Sequence, residues 1–566
     1  MKKEDIIALL KKTVLLLELH GANPFQVKYY RNAVWDLEQH AQDLAKLPTA
    51  VSKNTQKLYS EICTTGTLVR WEELMAITPK GVLDMLDLQG IGPKKVNVLW
   101  EKLKITSLKE LDIACHQDKV AKLPGFGKKT QAKILASITF KRAQEGKFHY
   151  AQARIPAHDI TQSLKESFPT SLISFTGAMR RKMEVVQAVD LLIGTDHIID
   201  IIYWLDQQPA LQKDIKKSGP FSWRGKFKAY NLVLSIVFCK KRSFQQHLII
   251  QTGSSAHLAL SVTGTSSTIG EQIYAETTIT HEAAFYQRIG LPYIPPELRE
   301  GLSELAWAQK SEVQSLIDEE ALRGVLHNHT TYSDGKHSIE AMAQHCIALG
   351  YEYIGITDHS QQAVYAGGLT IEEVKRQHEE IDRLNTLLAP FKIFKGIEVE
   401  IHSDGTLDYD EDILVRFDFV IAAIHAGMTM NKQQATARLI KAIKNPYTTI
   451  LAHPTNRLLL KRVGFPIDYP AVIDACAQHK VAIEINANPW RLELDWRWIH
   501  YALRKKVKIS INPDAHDKSS IAHMYYGVCV GRKGGLTKRD TLNTLGSQEI
   551  AQYFDERKAS IHRQKS

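Results

Sequence analysis

At 566 residues, with 44% hydrophobic and 24% charged residues, the chain has the composition of a globular protein long enough for about three or four domains. Its 72 Lys+Arg against 62 Asp+Glu leave a formal charge of +10, which suits a polyanionic partner and excludes a strongly acidic, disordered chain. The six cysteines, Cys63, Cys115, Cys239, Cys346, Cys476 and Cys529, form no CxxC pair, which excludes a thiolate zinc site and a disulfide framework and points to a reducing compartment. The early apolar run "VLLLELHG" (14–21) is too short and too charged to span a membrane or serve as a signal core, so a cytoplasmic protein without a membrane partner is expected.

Residues 1–145 read as helical, because apolar residues recur at spacings of three and four. Two stretches interrupt the pattern in the same way, "LQGIGPKKVNVL" (88–99) and "LPGFGKKTQAKIL" (123–135). In each, two glycines flank an apolar residue and lysines then open a helix. One such stretch fits a plain helix–turn–helix joint. Two fit a repeated device in which Gly90, Gly92, Gly125 and Gly127 turn the backbone so that its N–H groups face a phosphate, while Lys94, Lys95, Lys128 and Lys129 add attraction. These stretches resemble helix-hairpin-helix units, which grip the DNA backbone without reading bases. A worn third copy, "LPTAVSKNTQKLYSEI" (47–62), keeps the Leu-Pro start and lacks the glycines. With "GANPFQVKYYRNAVWDLE" (21–38), it resembles the small N-terminal domain of family X DNA polymerases. By that resemblance Lys57 takes the place of a Schiff-base lysine for abasic-sugar removal, with Lys53 as a phosphate contact. Read from the sequence alone, Lys57 is a solvated helix lysine.

In the middle third, "GAMRRKMEVVQAVDLLIG" (177–194) places Gly177, Arg180 and Arg181 before an apolar strand that carries Asp190, an arrangement suited to phosphate chemistry. It resembles the family X palm motif, Gly-Ser-x-Arg-Arg followed by Asp-x-Asp, which holds two divalent ions about 4 Å apart. Here Ala178 replaces the serine and Ala188 the first aspartate, so only Asp190 remains of that pair. The family's third aspartate aligns near Ser235 in "YNLVLSIVFCKKRSF" (230–244), a stretch with no acid. Asp196 opens a helical segment, "GTDHIIDIIYWL" (194–205), and reads as its cap. "QTGSSAHL" (251–258) and "LPYIPPELRE" (291–300) resemble the later palm and the thumb, so an α+β polymerase-like fold that has lost its metal anchors is expected.

From about residue 320, seven short apolar runs each end in metal-capable side chains: "GVLHNH" (324–329), "YIGITDH" (353–359), "FKGIEVE" (394–400), "FVIAAIH" (419–425), "TILAH" (449–453), "VAIEINA" (481–487) and "ISINPDAH" (509–516). Amphipathic stretches alternate with them, which predicts a parallel sheet closed into a barrel with its site at the C-terminal strand ends. His327, His329, Asp334, His359, Glu398, His425, His453, Asp514 and His516 would gather there. Unpaired, so many imidazoles and carboxylates would be costly to bury, and nitrogen and oxygen donors without thiolates suit Zn²⁺, Mn²⁺ or Fe²⁺. Arg457 reads either as a phosphate clamp or as surface charge.

The order HxH, Asp, TDH, GIE, His, AHP, DAH resembles the PHP (polymerase and histidinol phosphatase) domain, a distorted (β/α)7 barrel. The resemblance implies three divalent ions on the nine residues, with His327, His329, Glu398 and Asp514 closest to catalysis. Glu398 would bridge two ions, with His327, His329 and Asp514 on one side and His425 and His453 on the other. Asp334, His359 and His516 would hold the third, and His337 competes with Asp334 for its place. The whole chain thus resembles bacterial family X polymerases with a C-terminal PHP domain. The expected domains are a helical, lyase-like region (1–80), helix-hairpin-helix fingers (81–145), a degenerate palm and thumb (146–315) and the PHP domain (320–566). The implied activity is a metal-dependent 3′–5′ exonuclease or 3′-end phosphodiesterase, in a monomeric DNA-repair protein acting on gapped or nicked DNA. Its alternatives are a gap-filling polymerase and a small-molecule phosphatase of the histidinol phosphate type.

Overall fold

The computed structural model describes residues 3–39, 51–88, 90–262, 264, 266–276, 278–309 and 315–565. The start of the worn hairpin (47–50) and Gln89 of the first glycine stretch lie outside them. The chain divides into two compact units, Met1–Glu145 and Gly146–Ser566.

The described residues of the first unit form helices packed on one core, to which Ile6, Leu10, Leu58, Ile62, Val96, Leu99, Ile134 and Ile138 contribute. Local chemistry sets the helix starts. The Ser52 hydroxyl accepts from the Thr55 amide at 3.3 Å and starts Lys53–Thr65, while Gly92 followed by Pro93 starts Pro93–Leu103. Gly90 and Gly125 take φ of 83° and 80°, left-handed values that let the chain reverse between paired helices.

In the second unit, the larger sheets among the described residues have five and seven strands. The first is built from β1 (Leu172–Phe175), β2 (Ala188–Gly194), β3 (Leu211–Lys213), β4 (Ser222–Phe227) and β5 (Leu232–Cys239), in the order β1-β2-β5-β4-β3. Only β2 and β5 run parallel, and their register sets Asp190 directly opposite Ser235 and Ala188 opposite Val233. The helix after β2 spans Ile198–Asp206 with His197, not Asp196, at its cap position. The Thr195 hydroxyl accepts from the His197 amide at 3.1 Å and so holds this turn, and Asp196 instead faces Lys241 at 3.9 Å.

The second sheet contains β6 (Gly324–Val325), β7 (Tyr353–Ile356), β8 (Lys392–Glu400), β9 (Phe419–Ala423), β10 (Thr448–Leu451), β11 (Ala482–Asn486) and β12 (Ile509–Asn512). All neighbours pair parallel and in chain order, with helices in between, as the alternating pattern predicts. The ring closes at its C-terminal rim. There the His329 amide donates to the Ala515 carbonyl at 2.8 Å, and an isolated parallel bridge joins Asn328 to Ala515. The opposite end is filled by aromatic rings: Phe554 of the last helix stacks on Phe419 at 4.9 Å and meets Phe394 edge-on at 5.5 Å. The barrel is therefore solid at one end and polar at the other.

Candidate metal centre

Glu398, near the end of β8, is 1% exposed and lies at the middle of the polar rim. Five imidazoles converge on its carboxylate: His359 Nδ1 and His453 Nε2 at 3.0 Å, His425 Nε2 at 3.3 Å, His327 Nε2 at 3.4 Å and His329 Nε2 at 3.5 Å. Each comes from a segment just beyond a different strand end, save the pair His327 and His329, which flank Asn328, whose side chain bonds the Gly355 carbonyl instead. Asp514 Oδ1 stands 3.2 Å from His329 Nε2 and 3.7 Å from His327 Nε2. Asp334 Oδ2 lies 3.4 Å from His516 Nε2 and 3.7 Å from His359 Nε2.

The nine residues singled out in the sequence therefore share one rim. Their ligand atoms fall into three overlapping groups, His327–His329–Asp514, His359–Glu398–His425 and His329–Asp334–His359–His516. His359 reaches both Glu398 and Asp334, and His453 joins through Glu398 alone. His337 belongs to none of these groups among the described residues, while the neighbouring Asp334 does.

The donor set fits cations. Buried without a hydrogen-bond partner are Nε2 of His327, both ring nitrogens of His329, Oε2 of Glu398 and Nδ1 of His453. Leaving such atoms unsatisfied costs about 1–3 kcal/mol each. Ligands about 2.1 Å from a tetrahedral ion stand about 3.4 Å apart, the spacing found here between carboxylate and imidazole atoms. Against the cost of burial, His425, His327 and His359 hold the Glu398 carboxyl well below the carboxylate range, and His327, His329 and His516 do the same for Asp514. Burial, then His516 and His359, bring His329 down to about 4, which leaves a neutral nitrogen donor. Burial opposes charge on His359 and His516 too, but the facing carboxylates raise them to about 10 and about 9, so protons and cations compete for these nitrogens.

Two buried carboxylates that sequence reasoning passed over aim the imidazoles. Glu484 of β11 accepts from His327 Nδ1 at 2.7 Å and from the His453 amide at 3.0 Å, and Asn512 donates to it at 3.0 Å. Glu400 accepts from His425 Nδ1 at 2.9 Å and from the amides of His425 and Ala426 at 3.0 Å. Such partners fix the tautomer and leave the other nitrogen facing inward. Both acids stand in quoted strand sequences, and their only signal was an acid on a largely apolar strand. Arg457 does not face the centre: its guanidinium bonds Asp495 at 2.5 Å and the carbonyls of Arg491 and Leu492. Arg491 faces it instead, with Nε 3.8 Å from Asp514 Oδ2 and Nη1 donating to Asn456 at 2.6 Å.

The palm-like sheet offers one carboxylate. Gly177 has φ of 52°, and a Cβ there would stand 3.0 Å from Asp190 Oδ2, so the turn and its close approach to this acid favour glycine. Burial pushes the Asp190 pKa up, partly offset by Arg224, Ser235 and Arg181. The cations of the turn are committed elsewhere. Arg180 forks onto Glu282 at 2.9 and 2.6 Å, Arg181 bonds Glu300 at 2.9 Å, and Lys182 donates to the hydroxyls of Tyr150 and Tyr525 at 3.0 and 2.9 Å. Glu300 also receives the buried Lys533.

In the first unit, Lys94, Lys128 and Lys129 are exposed beside the left-handed glycines, and Lys95 lies over the Phe126 ring at 5.5 Å. Lys57 is exposed on its helix.

Residues 326–460 match the family described as PHP domain, and residues 82–138 match the SAM-like helix-hairpin-helix tandem. Fold and rim together define a PHP-domain protein with an N-terminal hairpin tandem. Along 98% of its length the chain is 35% identical to the DNA polymerase/3′-5′ exonuclease PolX of Bacillus subtilis, covering 99% of that protein. The chain belongs to this family, the bacterial family X polymerases with a C-terminal PHP domain. Probable phosphatases of Thermoanaerobacter sp. and Caldanaerobacter subterraneus are 31% and 32% identical, each over 42% of this chain and 95% and 94% of their own length.

Glu484→Gln should keep the fold and lower divalent-ion affinity about 10–100-fold. Metal titration by calorimetry on the full chain checks this, and unchanged affinity would assign Glu484 to packing alone.

Proposed function

We propose that the chain is a DNA-repair phosphoesterase that trims 3′ ends at its PHP centre and does not polymerise. The observation that carries this reading is the contrast between two sites: nine converging candidate ligands with orphaned buried atoms on the barrel rim, and a single carboxylate in the palm-like sheet. The hairpin tandem, and a relative whose name includes a 3′-5′ exonuclease, favour DNA as the substrate. DNA bearing gaps or nicks, a monomeric state, and the division at 80, 145 and 315–320 belong to the same reading.

His327, His329, Asp334, His359, Glu398, His425, His453, Asp514 and His516 would hold about three Zn²⁺, Mn²⁺ or Fe²⁺ ions. Bound there, such ions supply Lewis acidity and an activated water for attack on phosphorus. The protein's share is positioning. Glu484 and Glu400 aim His327 and His425, and Arg491 offers a cation to a phosphate oxygen at the rim. In the palm, Ala188 and Ser235 leave Asp190 without partners to anchor two ions, and the neighbouring arginines serve Glu282 and Glu300 rather than a triphosphate.

End-labelled gapped DNA with Mn²⁺ should be shortened by the wild-type chain and left intact by His329→Ala and Asp514→Ala, whereas His337→Ala retains most activity. With dNTPs there should be no extension, and Ala188→Asp alone should not restore it. Template-dependent extension lost in Asp190→Ala would overturn the palm reading. Intact DNA ends together with hydrolysis of histidinol phosphate would move the substrate to small molecules.

Replacing Lys94, Lys95, Lys128 and Lys129 with Glu should weaken DNA binding steeply and flatten its salt dependence. Hydrolysis of a small chromogenic phosphodiester should persist. Equal loss of both, read by fluorescence anisotropy and absorbance, would make these lysines part of the fold.

A further inference from the structure

The segment that follows His359, "SQQAVYAGGL" (360–369), is pinned at both ends and holds two hydrophobic side chains out into solvent. At its base, the Leu369 amide donates to the His359 carbonyl at 2.9 Å, and Ser360 and Leu369 form a parallel bridge. A Cβ on Gly368 would meet the Ser360 carbonyl oxygen at 1.9 Å, so this closure tolerates only glycine. Inside the turn Ala363 and Ala366 are buried, while Val364 is 83% and Tyr365 68% exposed. Exposing a tyrosine ring on a pinned turn gains the fold nothing. Its position is distinctive: the ring centroid lies 6.1 Å from that of His359 and 6.3 Å from that of His425.

We propose that Tyr365 is the stacking platform for the terminal nucleobase of the DNA strand whose phosphodiester enters the centre. The inference rests on the 3′-end reading above and names what that site recognises beyond phosphate. A flat ring next to two rim histidines is within reach of the base belonging to a nucleotide whose phosphate faces Glu398. Stacking suits an enzyme that must accept every base, since all bases present a π-face. The turn is short and pinned, so the ring is placed before substrate arrives and little ordering is needed on binding.

The test uses full-length, metal-loaded protein and two single-stranded oligonucleotides, alike except that one has an abasic 3′-terminal residue. Wild-type protein should have a KM roughly tenfold lower for the base-bearing end. Tyr365→Ala should lose that preference by raising only the base-bearing KM, and Tyr365→Phe should keep it. Bound metal should be unchanged in both variants. A 3′-terminal 2-aminopurine should be quenched on binding by wild-type and Tyr365→Phe but not by Tyr365→Ala. Cleavage with equal KM for both ends in wild-type protein, or an equal loss on both in Tyr365→Ala, overturns the platform and leaves the 3′-end reading standing. Failure of wild-type protein to cleave either oligonucleotide while it shortens end-labelled gapped DNA overturns the platform alone, and failure on all of these substrates overturns both.

Discussion

A buried carboxylate ringed by five imidazoles, Glu398 within 3.5 Å of His327, His329, His359, His425 and His453, is the constraint around which the C-terminal half is built. Side chains of this kind resist burial unless paired or bound to cations. The parallel barrel resolves the conflict by geometry. It gathers strand ends from far-separated parts of the chain onto one rim, and it packs the other end with Phe394, Phe419 and Phe554. Closure at Asn328 and Ala515 occurs where the ligands stand, so the backbone bonds that complete the ring also set the spacing of His327, His329 and Asp514.

The same physical logic, applied to the palm-like sheet, gives the opposite outcome. Asp190 has Ser235 across from it and Ala188 two residues before it, so neither of these two positions adds a second carboxylate. Arg180, Arg181 and Lys182 have been drawn into contacts with Glu282, Glu300, Tyr150 and Tyr525. Lys533, from the barrel half, completes the Glu300 pair. In our reading the turn now joins parts of the second unit together, a structural use for charges whose family context is phosphate binding.

The barrel and the gathering of polar side chains on its rim were legible because both depend on local pattern: an apolar strand ending in such a side chain says where that side chain goes, whatever the loops do. The helix that opens after Gly92 was legible for the same reason. Tertiary choices were not. Glu484 and Glu400 look like ordinary strand acids until the neighbouring strands bring His327 and His425 to them. Arg457 and Arg491 are equivalent in the sequence. Only the loop path decides that Asp495 takes the first while Asp514 faces the second. Asp196 has the right residue type for a cap but stands one position early, because Thr195 holds the turn and His197 takes the cap position. Distant partners, Glu282 and Glu300, likewise decide what the arginine pair does.

Whether the cations sit on the barrel rim and not in the palm is the question beneath all of this. Native mass spectrometry of the full chain loaded with Mn²⁺ answers it directly, by counting ions in wild-type protein, Glu398→Ala and Asp190→Ala. A metal centre on the rim requires about three ions in wild-type protein and in Asp190→Ala, and fewer in Glu398→Ala. Ions that survive Glu398→Ala in full and disappear in Asp190→Ala would place the metal chemistry in the palm instead.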